Sequence, residues 1–525
     1  MSSMSRRQFL ENSAKAGFVA GSAGFIAACG GSSSSSSTSS SVSPAKPKRG
    51  GTIHMGVTGG SSSDSFDPNL AATNPAYAGM IVMYEALTWY GNANVTVTNR
   101  LADELTPNKD ATVWTIRLRP NLTFHNGQPL TADDVIYSLN RAVNPKSPGP
   151  AVAYLPGIMA SGMKKLDKLT LSIPFAKPFA VLPEFIAGSA GPFMLPVGFD
   201  AKHPVGTGPF KFVSFAPGQQ AVFARNEDYW NHPLPYVDHL IMTNYPDETS
   251  QVNALLAGQE DIISPLSAAT LGTVTGAGKR VLISPGGGFN NITMRVDVAP
   301  FTDVRVRQAF RLAANREAIM NTVFGGHGTI GNDIFGIWSS DYDHSIPQRA
   351  HDPDQARSLL KAAGHDGLNV TLVTADAAQG VIEMSQVYAQ QAAAAGINVK
   401  LNQTTPTVLF GPNFTKWPFA VNNWNYNPYL ANVAIETLAG APYSETHFDN
   451  PRYQSLYHEA VSTLDVNRRT ELAHQMQMID YTDGGLIIPL FPPVIDAYAP
   501  NVNGDVRSKT GGSVNLWDFE HLWFS

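Results

Sequence analysis

The 525-residue chain has a single cysteine, Cys29. One thiol forms no internal disulfide and cannot build a multi-thiolate zinc or iron–sulfur site. Basic residues are not in excess: Lys+Arg 36 against Asp+Glu 42 gives a formal charge of −6. That balance argues against nucleic acid as the main partner. There is no G-x-x-x-x-G-K-[ST] loop, no H-E-x-x-H pair and no G-x-S-x-G elbow, which removes the P-loop, zincin and α/β-hydrolase readings. Gly206-Thr207-Gly208 lacks the third glycine of a dinucleotide fingerprint and runs into Pro209, as a turn does. The histidines are scattered, and His458-Glu459 has no second histidine in register. Gly and Pro are plentiful but show no Gly-X-Y period, so collagen is excluded. Beyond the N-terminal region no apolar run is long enough to span a bilayer. No catalytic centre, metal set or cofactor motif emerges, and this favours a binding role over an enzyme.

What is present begins with an address. Ser5-Arg6-Arg7-Gln8-Phe9-Leu10 precedes a mildly apolar, Gly/Ala-rich stretch from Ala16 to Ala28. The order of charged, apolar and small regions predicts a twin-arginine export signal over residues 1–28. Ile26-Ala27-Ala28-Cys29-Gly30 resembles a lipoprotein cleavage box, with Cys29 as the lipid attachment point. Acyl chains would then anchor the chain by hydrocarbon burial. Residues 29–49 are Ser-rich, then Pro- and Lys/Arg-bearing, the composition of a flexible tether.

The rest is long enough for two or three domains, and at 43% hydrophobic and 15% charged it should fold. Its pattern is mixed α and β. Thr52–Val57 alternates as an opening strand, and Val113–Arg119 alternates more clearly, with Trp114, Ile116 and Leu118 on one face. Thr131-Ala132-Asp133-Asp134 reads as a capped helix start, which gives the two aspartates a structural rather than catalytic task. The spacing predicts one helix from about Val304 to Phe324, with Arg305 and Arg311 facing water. Another helix is predicted behind Asp352-Pro353, and two more between Tyr453 and Tyr481 meeting near Asp465.

Four stretches, in order, carry a resemblance. They are Ser65-Phe66-Asp67-Pro68 with Tyr84-Glu85-Ala86-Leu87; Trp114 to Pro120 continuing through Phe124-His125-Asn126-Gly127 to Val135; Val205-Gly206-Thr207-Gly208-Pro209-Phe210 with Arg225 to Trp230; and Pro300 to Ala309. Together they resemble the family 5 extracellular solute-binding proteins, the peptide/nickel class served by ABC importers. The resemblance implies an α/β, two-lobed, periplasmic-binding-protein-like fold with an extra subdomain in the first lobe. Lobe I would span 50–285, with the subdomain at about 70–200. Lobe II would span 286–487, and 488–525 would return to lobe I. The Gly286-Gly287-Gly288 run and Gly484-Gly485 would be hinge backbone or tight turns. The implied partners are a peptide or other small-molecule solute and a membrane ABC permease, with the chain itself a monomer, no cofactor and no metal.

The resemblance also suggests ligand contacts. Trp424, Asn425, Tyr426 and Asn427 fall in a stretch similar to a cleft-lining strand and loop. Peptide-binding relatives place an aspartate after this tryptophan, as counter-ion to the peptide ammonium, whereas this chain has Asn425. A buried ammonium without a counter-charge is costly, so the pattern points away from free-amine peptides and toward neutral or blocked peptides, sugars or other polyhydroxylated solutes. Trp424 and Tyr426 are equally readable as core aromatics. Thr73, Asn74, Tyr154, Phe289 and Asn290 are further expected contacts, and His125 reads as structural. Two other roles stay open at this point: an exported hydrolase with unidentified catalytic groups, and a receptor that presents ligand to a signalling partner.

Overall fold

A seven-stranded sheet is assembled from both ends of the chain. Its order is Arg280–Ser284, Val494–Tyr498, Ile262–Ile263, Thr52–Thr58, His239–Tyr245, Gln220–Arg225 and Phe210–Ala216. The computed structural model that shows this describes residues 46–71, 73–91, 95–146, 150–187 and 191–525. Cys29, the expected export signal and most of the tether lie outside the described residues. Thr52–Thr58 runs parallel to both His239–Tyr245 and Ile262–Ile263, and its Ile53, Met55 and Val57 are buried, as the alternation predicts.

The second sheet has the order Thr329–Ile330, Leu486–Phe491, Phe289–Met294, Phe419–Trp424, Leu368–Ala375 and Ile397–Thr404. Phe289–Met294 is central and buried along its whole length, covered on both faces. A smaller four-stranded sheet, Ala102–Pro107, Val113–Leu118, Thr170–Pro174 and Lys164–Lys165, packs with the helix Ala132–Ala142 as a separate subdomain. That helix starts as expected: Asp134 Oδ2 accepts from both the backbone N–H and the hydroxyl of Thr131. Residues 47–525 form one compact unit. A single apolar cluster joins Trp114, Ile116 and Phe185 of the subdomain to Tyr453, Leu472 and Met476 of the second lobe. Each such large side chain contributes about 1.5–3 kcal/mol by leaving water. Among the described residues no helix is long and apolar enough to cross a membrane.

The chain leaves the first sheet after Ser284, enters the second at Phe289, and returns between Phe491 and Val494. The boundary expected at 488 therefore falls inside the strand Leu486–Phe491, and the return is made at Pro492-Pro493. At the outward crossing a Cβ on Gly286 would lie 1.9 Å from the Pro492 carbonyl oxygen. Glycine here serves close approach of the two crossing backbones, and no positive φ is involved.

Two helix expectations need correction. The stretch 304–324 is two helices, Val304–Leu312 and Arg316–Phe324, because Asn315 caps the second by accepting from the Ala318 N–H at 3.0 Å. Arg311 does not face water but is fully buried. Its guanidinium donates to the carbonyls of Asp480, Tyr481 and Leu486 at 2.9–3.0 Å, so it seals the C-terminal end of the helix Val466–Asp483.

Candidate functional site

The strand Phe419–Trp424 pairs antiparallel with Phe289–Met294 and delivers Trp424 to the seam between the lobes. The chain then turns through Asn425 to Pro428 into the short helix Tyr429–Asn432 and a π-turn, Val433–Thr437. π-turns often accompany functional sites. A polar relay follows this path. The Tyr154 hydroxyl of the first lobe donates to Asn427 Oδ1 at 3.1 Å. Asn427 Nδ2 donates to Asn432 Oδ1 at 3.1 Å, and Asn432 Nδ2 donates to Glu436 Oε2 at 3.2 Å.

Beside the relay stands a second buried acid. Glu445 Oε1 accepts from the Trp424 indole N–H at 3.1 Å and from the Asn422 amide. Glu436 and Glu445 are 1% and 4% exposed, and among the described residues neither has an ion-pair partner. Burial raises Glu445 to about 8, against the hydrogen bonds from Asn422 and Trp424. Burial also raises Glu436 well above the carboxyl range, and the charge of Glu445 adds to this. Glu436 Oε1 has no hydrogen-bond partner. Asn291, opposite Asn422 across the strand pair, lies close enough to lower the Glu445 pKa, yet neither of its amide atoms reaches hydrogen-bond geometry. Buried polar groups are almost always paired, so this cluster has unused donors and acceptors.

Aromatic rings lead outward from the same point. Trp424 meets Tyr443 edge-on at 5.8 Å, Tyr443 meets Phe414 at 6.3 Å, and Phe414 meets Phe410 at 5.4 Å. Tyr443 and Phe410 are exposed. In the first lobe, Tyr77 is partly buried against the apolar cluster of the first sheet. Burial raises its pKa, and nearby Tyr443 raises it further.

The residues singled out in the sequence fall into distinct settings. Asn427 and Tyr154 meet across the seam, and Trp424 packs against Glu445 and Tyr443. Asn425 is exposed. Tyr426 is buried and meets Tyr90 edge-on at 5.4 Å. Thr73 caps the helix Asn74–Met83, accepting from the Ala76 N–H and donating to Asp64 at 2.8 Å. Asn74 is exposed one turn before Tyr77. Phe289 is buried and stacks on Phe335, and Asn290 donates to the Gln379 carbonyl at 3.0 Å. His125 accepts from the Gly206 N–H and its other nitrogen bonds the Gly208 carbonyl, while burial pushes its pKa down to about 4. A neutral ring spent on two backbone groups ties one turn to another and has no nitrogen left for a metal.

Glu436, Glu445, Asn291, Asn422, Asn432, Tyr77 and Tyr443 escaped the sequence reading. One signal was available: Asn432 and Glu436 stand four apart in the mostly apolar run Tyr429–Leu438, so they share one helical face.

Comparison with known proteins gives the chain its place. The model of the bacterial extracellular solute-binding proteins, family 5, matches residues 96–453. The glutathione-binding protein GsiB of Pectobacterium atrosepticum is 25% identical over 479 residues, covering 85% of this chain and 90% of the relative. Heme-binding protein A of Haemophilus influenzae is 26% identical over 496 residues, covering 85% and 88%. The fold is similar to that of the ABC transporter-associated periplasmic binding protein DppA from Helicobacter pylori in complex with peptide STSA, with a TM-score of 0.77, 21% identity, and coverage of 91% and 98%. The two sheets are thus the cores of the two lobes of a periplasmic-binding-protein-like fold, and the chain belongs to the family 5 bacterial extracellular solute-binding proteins.

Proposed function

We propose that this chain captures a polar solute at the seam between its lobes and hands it unchanged to a membrane ABC permease. The observation that carries the reading is the Glu436–Glu445 cluster under Trp424: buried acids with no cation, beside a hydrogen bond that joins the lobes. A solute placed there would fill the unused donors and acceptors while its flat or apolar part rests on Trp424 and Tyr443. The acid missing after Trp424 along the chain is supplied in space by Glu445, so a solute with a cationic or strongly donating group suits the site. Relatives named for dipeptide and glutathione binding agree with a small peptide or peptide-like compound. The Tyr154–Asn427 and Ala180–Val461 hydrogen bonds bridge the lobes, and a solute that touches both lobes would favour this bridged arrangement over an open one.

Delivery would start from an exported, Cys29-lipidated monomer that performs no chemistry on the solute. A thermal-shift screen with di- and tripeptides, free and amine-blocked, tests the reading. A ligand at 100-fold its Kd adds about 2.7 kcal/mol of stability, and free-amine compounds should give the larger shifts. Larger shifts from blocked compounds would contradict the role given to Glu445. Release of a chemically altered solute would contradict transport without chemistry.

A further inference from the structure

Three contacts join the lobes without help from a solute. The first lies at the crossings. The C-terminal segment runs over the outward crossing at Lys509 to Gly511, and a Cβ on Gly287 would lie 2.4 Å from the Lys509 carbonyl oxygen and 2.8 Å from the Tyr426 ring. Lys509 Nζ stands 4.8 Å from the centroid of the second-lobe Trp338 ring, and the Trp338 indole N–H donates to the Gly286 carbonyl at 3.1 Å. The second contact is apolar: Tyr90, Ala187 and Leu516 of the first lobe share one cluster with Tyr426 and Trp338 of the second. The third lies at the elbow between the helices Pro451–Ser462 and Val466–Asp483. There the Ala180 N–H donates to the Val461 carbonyl at 2.6 Å, and the Ser462 hydroxyl donates to the Pro178 carbonyl at 3.3 Å. Arg469 meets Glu184 beside them at 3.5 Å. Ala180 and Val461 are both buried.

Swinging the lobes apart about residues 285–288 and 492–493 would break the elbow contact, open the aromatic cluster to water and press the crossing against the C-terminal segment. The first two changes cost apolar burial and hydrogen bonds, and none of the three is compensated by a solute. We propose that the free chain rests closed, held by the strap Lys509–Gly511 over the crossing and by the clasp of residues 178–184 on the helical elbow, so that a solute enters only through a minor open form. Association then waits for opening and is slower than collision alone would allow. The proposal concerns the free chain and does not depend on which solute the seam takes.

The test uses the full chain with Cys29→Ser and spin labels on Val197→Cys in the first lobe and Val408→Cys in the second, both positions being exposed. The protein is unfolded in guanidinium chloride, dialysed and refolded, and native mass spectrometry verifies that it carries no solute. Double electron–electron resonance should then show one population, at the separation of the closed structure. Arg469→Glu sets an acid against Glu184, and Val461→Asp puts a charge into the clasp; each should add a population at longer distance. Circular dichroism checks both for folding, and Arg469→Glu serves alone if Val461→Asp does not fold. A solute-free parent chain already at the longer distance, or folded variants that keep the single short one, would overturn the proposal.

Discussion

Two fully buried acids in the second lobe have opposite surroundings. Asp333 takes Arg316 on both oxygens and Arg349 on one, all at 2.7 Å, with Arg311 at 4.0 Å and the Ile488 N–H at 3.0 Å. Burial alone would raise its pKa, but Arg316, Arg349 and Arg311 hold it below the ordinary carboxyl range. Glu445 is as deeply buried, has amide and indole donors but no cation, and is raised to about 8. One acid is a finished structural pin. The other has hydrogen-bond donors but, among the described residues, no counter-charge, and it is the acid that the proposed binding site would use.

The largest expected effect lies on the finished side. Asp333→Asn leaves three buried guanidinium groups without their counter-charge and should cost about 3–5 kcal/mol in chemical denaturation. A loss below about 1 kcal/mol would mean that the arginines are held by backbone carbonyls alone.

Glu445→Gln should do the reverse, sparing stability at neutral pH while weakening solute binding. A cationic solute would draw the proton off Glu445 and bind the carboxylate, which glutamine cannot become; such a charge-assisted hydrogen bond is worth about 1.5–3 kcal/mol, or roughly tenfold to a hundredfold in Kd. Calorimetry with a solute from the screen measures it, and equal affinity in the two proteins would erase the functional half of the contrast.

Acidity sharpens the contrast further. In the folded chain Glu445 keeps its proton up to about pH 8, and Asp480, also raised by burial, up to about 7. The unfolded chain releases both protons near the ordinary carboxyl values. The folded state therefore binds more protons in between, and stability from these groups is fully present below the unfolded pKa and lost as pH rises through the folded one. Denaturation midpoints should fall between about pH 4 and 8, and Glu445→Gln should flatten that fall. An unchanged slope would place the proton elsewhere.

The smallest effect belongs to Tyr154→Phe. It removes one neutral hydrogen bond between the lobes, worth about 0.5–1.5 kcal/mol. Solute affinity should weaken by no more than roughly two- to tenfold, and the free chain, which also makes this bond, should lose no more than about 0.5–1.5 kcal/mol of stability.

Local chemistry was readable in the sequence. The alternation of Thr52–Thr58 and Val113–Leu118, the caps at Thr131 and Asp352, Pro353 in a first helical turn, and the break between two helices near Asp465 all act within a few residues. The misreadings share the opposite property. Arg311 looks solvent-facing on a helical wheel, and carbonyls some 170 residues away, with Asp333 nearby, make its burial tolerable. Glu445 reaches the Trp424 indole from 21 residues along the chain, so the acid was sought beside the tryptophan and not found. Asn315 was passed over because Arg316–Phe324 continues the apolar pattern of the preceding helix in a new register.

The most direct test is a crystal structure of the chain with a solute recovered from it or taken from the screen. The solute should lie over Trp424, with a donor group within hydrogen-bond reach of Glu445 or Glu436 and the Tyr154–Asn427 contact closed beside it. A solute bound elsewhere, with Trp424, Glu445 and Tyr154 untouched, would contradict the account.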